Sequence, residues 1–214
     1  MRGLLFITHR TENYDYLQSV EIGLQGGCRQ IQLRMKDAGI MEFEEVAIQT
    51  KKLCDEYGAD LYINDFPEVC RMVNATGVHL GKSDMSPADT RMMLGDKYFI
   101  GGTANTFDDI QRLSGQGVNY IGLGPFRFTT TKKNLSPVLG LEGYCHIVRL
   151  CQENDIHIPL LAIGGITIAD IPSIMQTGVS GIALSSAILS AKKPVDALKE
   201  VLRLMSYPVE TKCW

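Results

Sequence analysis

Short apolar stretches alternate with longer amphipathic segments along nearly the whole chain. The apolar stretches are rich in Val, Ile, Leu and Tyr, which is typical of buried strands. These stretches predict strands at Leu4–Thr8, Arg29–Arg34, Asp60–Asn64, Gly77–Leu80, Tyr98–Gly102, Asn119–Leu123, Pro159–Ile163 and Gly181–Leu184. The segments between them predict helices at Tyr16–Leu24, Phe43–Tyr57, Pro67–Val73, from Ser86-Pro87 onward, and at Phe107–Leu113, Leu141–Gln152, Ala169–Gln176 and Val195–Leu204.

Eight strand–helix units in 214 residues predict one α/β domain. The expected fold is a (β/α)8 TIM barrel over residues 1–206, with residues 207–214 as a peripheral tail. A doubly wound open sheet is the alternative. In such a barrel the functional side chains lie where the strands end, in the loops that follow. Polar residues at the predicted strand ends are therefore the candidates for a site.

The stretch Gly122–Lys133 begins at the end of the sixth strand and combines glycine, three threonines and two lysines. Backbone N–H groups and hydroxyls can hold the oxygens of a phosphate while lysine neutralises its charge. A solvated polar loop is the alternative. Because a long loop over a barrel mouth is often a lid, residues 126–136 are expected to close over a ligand and bring Lys132 onto it.

The second strand ends in three long polar side chains at alternate positions, Gln32, Arg34 and Lys36. Alternation places them on one face of the strand, where they are unfavourable unless a ligand meets them. Arginine with lysine suits a diphosphate, and Gln32 offers a donor and an acceptor to a heterocycle. A frayed strand end with solvated charges is the alternative.

Two carboxylates follow the third and fourth strands, Asp65 and Asp84. Beside a basic cluster they could hold Mg2+ next to phosphate oxygens, because this cation prefers oxygen ligands and keeps several waters. Asp84 could instead be the N-cap of the helix that starts at Pro87. His79 lies within a strand, where a hydrogen-bonded core histidine is more common than a metal ligand.

Hydroxyl groups and glycines also stand at the ends of the fifth, seventh and eighth strands. Thr103 places a hydroxyl at the mouth of the fifth strand, and Gly164-Gly165 follows the seventh. Ser185-Ser186 opens a short helix after the eighth strand. Glycines after strand seven and a helix start after strand eight form the usual phosphate site of such barrels. A second phosphate site, separate from the basic cluster, is therefore predicted.

Composition narrows the class of partner. The net charge of −3 gives no electrostatic case for nucleic acid or an anionic membrane. No apolar run is long enough to span a bilayer, and the N-terminus lacks the features of a signal peptide. The six cysteines show no C-x-x-C spacing for zinc or redox chemistry, so a cytoplasmic location is expected. Small-molecule substrates remain as the predicted partners.

The strand-end motifs, in this order, resemble those of the thiamine-phosphate synthase family over nearly the whole chain. The resemblance implies that a hydroxymethylpyrimidine diphosphate is joined to a thiazole phosphate with release of pyrophosphate. It also implies Mg2+ as cofactor, held by Asp65 and Asp84. It further implies two sets of substrate-binding residues: Gln32, Arg34, Lys36, Asn64, Thr103 and Lys132 for the pyrimidine diphosphate, and Thr129, Thr131, Gly165, Ser185 and Ser186 for the thiazole phosphate. Of these, Arg34, Lys36, Lys132 and Thr103 are the predicted catalytic residues.

Four positions depart from the family's pattern. Thr103 stands for serine, Phe128 for proline, Phe66 for an acid or arginine, and Lys82 for glutamine. A thiazole tautomerase of similar sequence, a non-catalytic regulator that binds ligands of the thiamine pathway and a different phosphate-binding barrel enzyme are the alternative functions. Both the basic cluster and the paired carboxylates are intact, and this favours the synthase.

Overall fold

The structure, a computed structural model, describes residues 2–36, 38–128 and 137–207. Eight parallel strands close into a barrel in the order of the sequence, and the last strand pairs with the first. The strands are β1 (Gly3–Ile7), β2 (Gln30–Leu33), β3 (Asp60–Asn64), β4 (Gly77–Leu80), β5 (Phe99–Ala104), β6 (Tyr120–Leu123), β7 (Leu160–Ile163) and β8 (Gly181–Leu184). The predicted (β/α)8 fold is confirmed, and closure excludes the doubly wound sheet because an open sheet keeps two unpaired edges.

Helices follow every strand. They are α1 (Tyr16–Gln25), α2 (Ile40–Glu56), α3 (Pro67–Met72), α4 (Pro87–Leu94), α5 (Phe107–Ser114), α6 (Gly140–Glu153), α7 (Ile171–Met175), α8 (Ser186–Leu189) and α9 (Pro194–Met205). Side chains of Asp15, Ser86 and Thr106 accept backbone N–H groups of the first turn of α1, α4 and α5. Ser86, not Asp84, is therefore the N-cap of α4. Among the described helices, none combines the length and the apolar character that crossing a membrane requires.

Predicted element boundaries differ from the structure by up to three residues, as at α2, which begins at Ile40 and not at Phe43, and two of the differences have identifiable reasons. β5 continues to Ala104 because Thr103 and Ala104 pair with Gly122 and Leu123 of β6. The predicted helix from Ala169 is split into a 3-10 turn, Ile168–Asp170, and α7. Proline at the start of α7 lacks the N–H group that a continuous α-helix would use at that point.

The apolar core has two layers. The larger layer fills the space between the outward face of the sheet and the helices. The smaller layer fills the barrel and consists of Leu5, Ile7, Tyr62, Tyr120, Leu161 and Ala183. Tyr120 is fully buried there, and Gly101 of the adjacent strand leaves room for its ring, since a Cβ at Gly101 would lie 2.2 Å from Tyr120 Cζ.

The cysteines pack mainly as small apolar side chains. Cys28, Cys54, Cys70 and Cys151 are buried free thiols. Burial raises the pKa of both Cys54 and Cys70 to about 12, so these thiols stay protonated. Cys145 is disulfide-bonded, which the cysteine spacing did not predict.

Candidate active site at the carboxyl ends of the strands

A polar wall lines the barrel mouth along β2 to β5. Gln32 and Asn64 are buried in the barrel interior, and Gln32 Nε2 donates to Asn64 Oδ1 at 2.6 Å. Asn64 in turn hydrogen-bonds the carboxylate of Asp65. Gln32 and Asn64 share the interior face because the interior positions of neighbouring parallel strands alternate in step, and Asp65 directly follows β3. The structure therefore brings Gln32, Asn64 and Asp65 together as a connected chain.

Asp65 and Asp84 are hydrogen-bonded to each other. Burial first, and then the hydrogen bond and charge of Asp84, raise the pKa of Asp65 to about 7, while Arg34 and Asn64 act in the opposite direction. Asp65 has a left-handed backbone (φ 69°), and its N–H donates to the carbonyl of His79 at 2.9 Å. Asp84 Oδ2 accepts the N–H of Gly81 at 2.6 Å. Two half-buried carboxylates in contact, one of them on a left-handed backbone, need a shared proton or a cation.

The predicted basic cluster is only partly gathered. β2 ends at Leu33, and Arg34 is half-buried at the mouth, where its charge acts on Asp65. Its backbone is fixed by Thr8, whose hydroxyl accepts the Arg34 N–H at 2.8 Å and donates to the Arg34 carbonyl at 3.2 Å. Lys36 is exposed two residues further on. The two cations therefore differ in burial, and Arg34 is the one next to the carboxylates.

Thr103 belongs to a hydrogen-bonded chain inside the barrel. Its hydroxyl donates to the carbonyl of Leu80 at 3.1 Å and lies 3.0 Å from Nε2 of His79. Nδ1 of His79 lies 3.2 Å from the hydroxyl of Tyr120. With the hydroxyl proton of Thr103 directed to Leu80, the tautomer of His79 that fits has Nε2–H donating to Thr103 and Nδ1 accepting from Tyr120. The expectation of a hydrogen-bonded core histidine is confirmed, and one lone pair of Thr103 remains for a ligand.

A cavity of about 150 Å³ opens between the ends of β6, β7, β8, β1 and β2. Gly165, Ser185 and Ser186 line it, as does Arg34, so the structure brings the described part of the predicted second phosphate site to one place. Its remaining wall is largely apolar and is formed by Ile7, Pro125, Ile163, Gly164, Ile166, Ala183, Leu184 and Ala187. The shape and lining suit a small apolar ring that carries a phosphate.

Thr8 and His9 also line this cavity, and sequence reasoning did not select them. Both directly follow β1, so the rule that polar residues at strand ends form the site could have found them. His9 is tied to α1, since its N–H donates to the hydroxyl of Ser19 at 3.3 Å.

Three predicted site residues, Thr129, Thr131 and Lys132, lie outside the described residues, and so does most of the predicted lid, 126–136. The beginning of that segment is described. Phe126 is buried and stacks on Tyr144 of α6, with ring centroids 6.0 Å apart.

Two departures from the family's pattern have local explanations. Phe66 packs edge-on against Phe43 of α2, with ring centroids 5.0 Å apart. Lys82 forms an ion pair with Asp109 of α5 at 2.5 Å. Phe66 therefore packs against α2, and Lys82 pairs with α5.

Comparisons with known proteins agree with this geometry. The sequence model of the thiamine monophosphate synthase family matches residues 4–188. The thiamine-phosphate synthase of Phocaeicola vulgatus is 56% identical over 201 residues, covering 94% of this chain and 97% of the relative. That of Bacteroides fragilis is 55% identical over 204 residues, covering 95% and 100%. The solved structure of thiamine phosphate pyrophosphorylase from Pyrococcus furiosus is 31% identical, with a TM-score of 0.84 and 95% coverage of both chains. The chain therefore belongs to the thiamine monophosphate synthase family of transferases.

Proposed function

We propose that this enzyme is a thiamine-phosphate synthase, which joins 4-amino-5-hydroxymethyl-2-methylpyrimidine diphosphate to a thiazole phosphate. The C–O bond between the pyrimidine methylene and the diphosphate breaks, and its electron pair leaves with pyrophosphate. The thiazole nitrogen then donates its lone pair to the methylene carbon, and the product is thiamine phosphate. The observation that carries this proposal is the pairing of Asp65 and Asp84 beside Arg34, next to a separate cavity lined by glycine and serine.

The paired carboxylates fit Mg2+. Among residues 2–36, 38–128 and 137–207 no group of three or more His, Cys, Asp or Glu side chains gathers at one place, so Asp65 and Asp84 would hold the ion with water and diphosphate oxygens. Their contact favours a cation, since the raised pKa of Asp65 reports unfavourable charge that a metal would neutralise. When bound, Mg2+ would supply positive charge at the leaving diphosphate.

The chain's own groups divide the remaining work. Arg34 adjoins the carboxylates and would stabilise the negative charge of the departing diphosphate. Lys36 and Lys132 are the further cations that are predicted to contact the diphosphate. Gln32 and Asn64 would orient the pyrimidine ring from the buried wall. Thr103 offers an acceptor lone pair, which suits an N–H group of the aminopyrimidine better than a phosphate oxygen.

The cavity between β6 and β2 would take the second substrate. Gly165, Ser185 and Ser186 would hold its phosphate, with Thr129 and Thr131 as further predicted ligands. The apolar side chains of Ile7, Ile163 and Leu184 would pack on the thiazole ring and exclude water, which could otherwise capture a pyrimidine cation as the alcohol. Holding the nitrogen close to the methylene carbon makes the second step effectively unimolecular.

The test is to incubate the purified full chain with both substrates and Mg2+ and to follow thiamine phosphate and pyrophosphate together. Formation of both in equal amounts supports the proposal. Rearrangement of the thiazole phosphate without consumption of the diphosphate would indicate the tautomerase instead. Binding of both ligands without turnover by the fully folded protein would indicate a regulator.

A further inference from the structure

Arg127 connects the end of β6 to the loop after β7. Its Nη1 and Nη2 donate to the two carboxylate oxygens of Asp170 at 2.9 and 3.0 Å. Nη1 also donates to the carbonyl of Gly165 at 2.7 Å. A bidentate arginine–carboxylate pair fixes direction as well as distance. One guanidinium therefore bonds both the glycine turn and the 3-10 turn that follows it.

Asp170 holds the far end of the same loop. Its Oδ2 accepts from the backbone N–H of Thr167 at 2.8 Å and from the Thr167 hydroxyl at 2.7 Å. The hydrogen bond from Arg127, with those from Thr167, lowers the pKa of Asp170 to about 2 although burial opposes it. The pair is thus charged across the physiological pH range.

The two loops also touch through their backbones. Gly165 has φ 69°, and a Cβ there would lie 2.9 Å from both the Cβ and the carbonyl oxygen of Arg127. Gly164 has φ 94°, and a Cβ there would lie 2.9 Å from Cβ of Pro125. The Arg127 N–H donates to the Gly164 carbonyl at 3.0 Å. The position of the glycine turn, which lines the cavity, is therefore set by residues 125–127.

Stability alone is a weak reason for this arrangement. The Arg127 side chain is 50% exposed, and ion pairs at such sites contribute roughly 0–1 kcal/mol to folding. We propose that Arg127 is a positioning residue for the thiazole phosphate: clamped on Asp170, it holds the Gly164–Gly165 turn in place and does not itself contact the phosphate. This inference rests on the proposed function, because it assumes that this cavity takes the thiazole phosphate.

The alternative role for Arg127 is that of a direct phosphate ligand, and Asp170→Asn separates the two roles. If the guanidinium bound the phosphate directly, loss of the competing Asp170 carboxylate would free the guanidinium, and the thiazole phosphate would bind more tightly. If Arg127 is a clamp, the same change loosens the turn and weakens binding. Asparagine keeps one oxygen for Thr167, so the change acts mainly on the pair with Arg127.

The experiment measures binding of the thiazole phosphate by calorimetry, and separately the KM for each substrate, in the full-length enzyme. Arg127→Ala and Asp170→Asn are each expected to weaken binding of the thiazole phosphate about tenfold, which is the effect of losing one charge-assisted positioning contact. The double variant is expected to bind the thiazole phosphate no more weakly than either single variant. Arg127→Lys is expected to restore little of the lost affinity, because lysine cannot form a bidentate pair with Asp170. The KM for the pyrimidine diphosphate and kcat at saturation should stay within about twofold of wild type.

Arg203→Ala is the matched control. Arg203 is 53% exposed, forms an ion pair with Glu200 of α9 and lies over the ring of Tyr207, as Arg127 lies over Phe126. Arg203 is absent from the cavity lining, so its loss should change the affinity for neither substrate.

Three results would overturn the role of Arg127 as a clamp: tighter binding of the thiazole phosphate by Asp170→Asn, unchanged binding by Arg127→Ala, or equal losses of affinity for both substrates. So would failure of the wild type to bind the thiazole phosphate. Binding without any turnover to thiamine phosphate would instead overturn the proposed function and leave the clamp measurable by calorimetry.

Discussion

Individual polar residues of the barrel mouth satisfy one another across strands. Gln32 bonds Asn64, Asn64 bonds Asp65, and His79 joins Thr103 to Tyr120. Such a network orients each group before a ligand arrives, since a buried polar group without a partner is unfavourable. The one contact in it that opposes folding is that between Asp65 and Asp84.

Asp84→Asn is therefore expected to separate activity from stability. Loss of one carboxylate removes a proposed ligand for Mg2+, and the transition-state stabilisation behind turnover should fall by roughly 3 kcal/mol. The free energy of unfolding should not fall, because the repulsion between two half-buried carboxylates is relieved. Steady-state rates over a Mg2+ titration and urea unfolding without metal measure the two effects. Asp155→Asn, at an exposed carboxylate, is the control, and full activity of Asp84→Asn in excess chelator would refute the metal assignment.

Gly101→Ala tests packing within the barrel. The added methyl would lie 2.2 Å from the ring of Tyr120, which is fully buried. The free energy of unfolding is expected to fall by about 3 kcal/mol, because the ring has no room to move. Urea denaturation gives the value. Gly39→Ala, where the new methyl meets nothing within 4 Å, should be nearly neutral, and a similar loss there would discard the packing explanation.

At the scale of elements, helix caps and loop contacts orient the segments that follow the strands. Asp109 of α5 illustrates this, because it accepts from the N–H groups of Asn105 and Thr106 and from Lys82. Burial raises the pKa of Asp109, but these partners together lower it to about 2. The contact with Lys82 joins α5 to the loop that carries Asp84.

Asp109→Asn should make acid stability less dependent on pH. The folded-state pKa of Asp109 lies below its ordinary value of 3.8, so its stabilisation is complete above that value and is lost as the pH falls toward 2. We expect the variant to lose about 1 kcal/mol near neutral pH, after allowance for solvent screening. The difference from wild type should shrink as the pH falls below 3.8. Chemical denaturation at several pH values measures this, with Asp108→Asn in the same turn as control. A difference that grows in acid would contradict the assignment.

At the scale of the whole molecule, the barrel mouth has two sides of different chemistry. β2 to β5 supply Gln32, Asn64, His79 and Thr103, which are polar and mostly buried. β7, β8 and β1 supply Ile163, Ala183 and Ile7, with glycine and serine beyond them. Arg34 after β2 borders both sides, but the other lining residues named here come from different strands, so the two proposed substrates are expected to contact largely separate sets of residues.

Ser186→Ala and Gln32→Ala test this division. Ser186→Ala should weaken binding of the thiazole phosphate about tenfold, because a hydroxyl donor is lost, and should leave the affinity for the pyrimidine diphosphate unchanged. Gln32→Ala should weaken binding of the pyrimidine diphosphate and leave the affinity for the thiazole phosphate unchanged. Calorimetry with each ligand alone provides the comparison. Equal losses for both ligands in either variant would mean that the two sites are one.

Much of the site could be predicted from the chain alone. The alternation of apolar strands and amphipathic helices led to the barrel, and polar residues at strand ends led to Gln32, Asp65, Thr103 and Ser186. The fold prediction is confirmed, because burial and periodicity are local properties of the sequence. The structure also places these side chains at the barrel mouth, because parallel strands must end at one edge, while their roles toward substrates stay predictions. The prediction that Arg34 and Lys36 share an environment was less accurate, since β2 ends before either of them.

Only the tertiary structure decided which of these residues meet. Arg127 reaches Asp170 across 43 positions, and His79 reaches Tyr120 across 41. The strand register and the close approach of the glycine turn to residues 125–127 set these contacts, and no local pattern records either. The sequence by itself therefore determined the kind of fold and the chemical groups at its mouth. Closure of β8 onto β1 and the packing of side chains decided their pairing, because hydrogen bonds depend on distances between elements that periodicity does not specify.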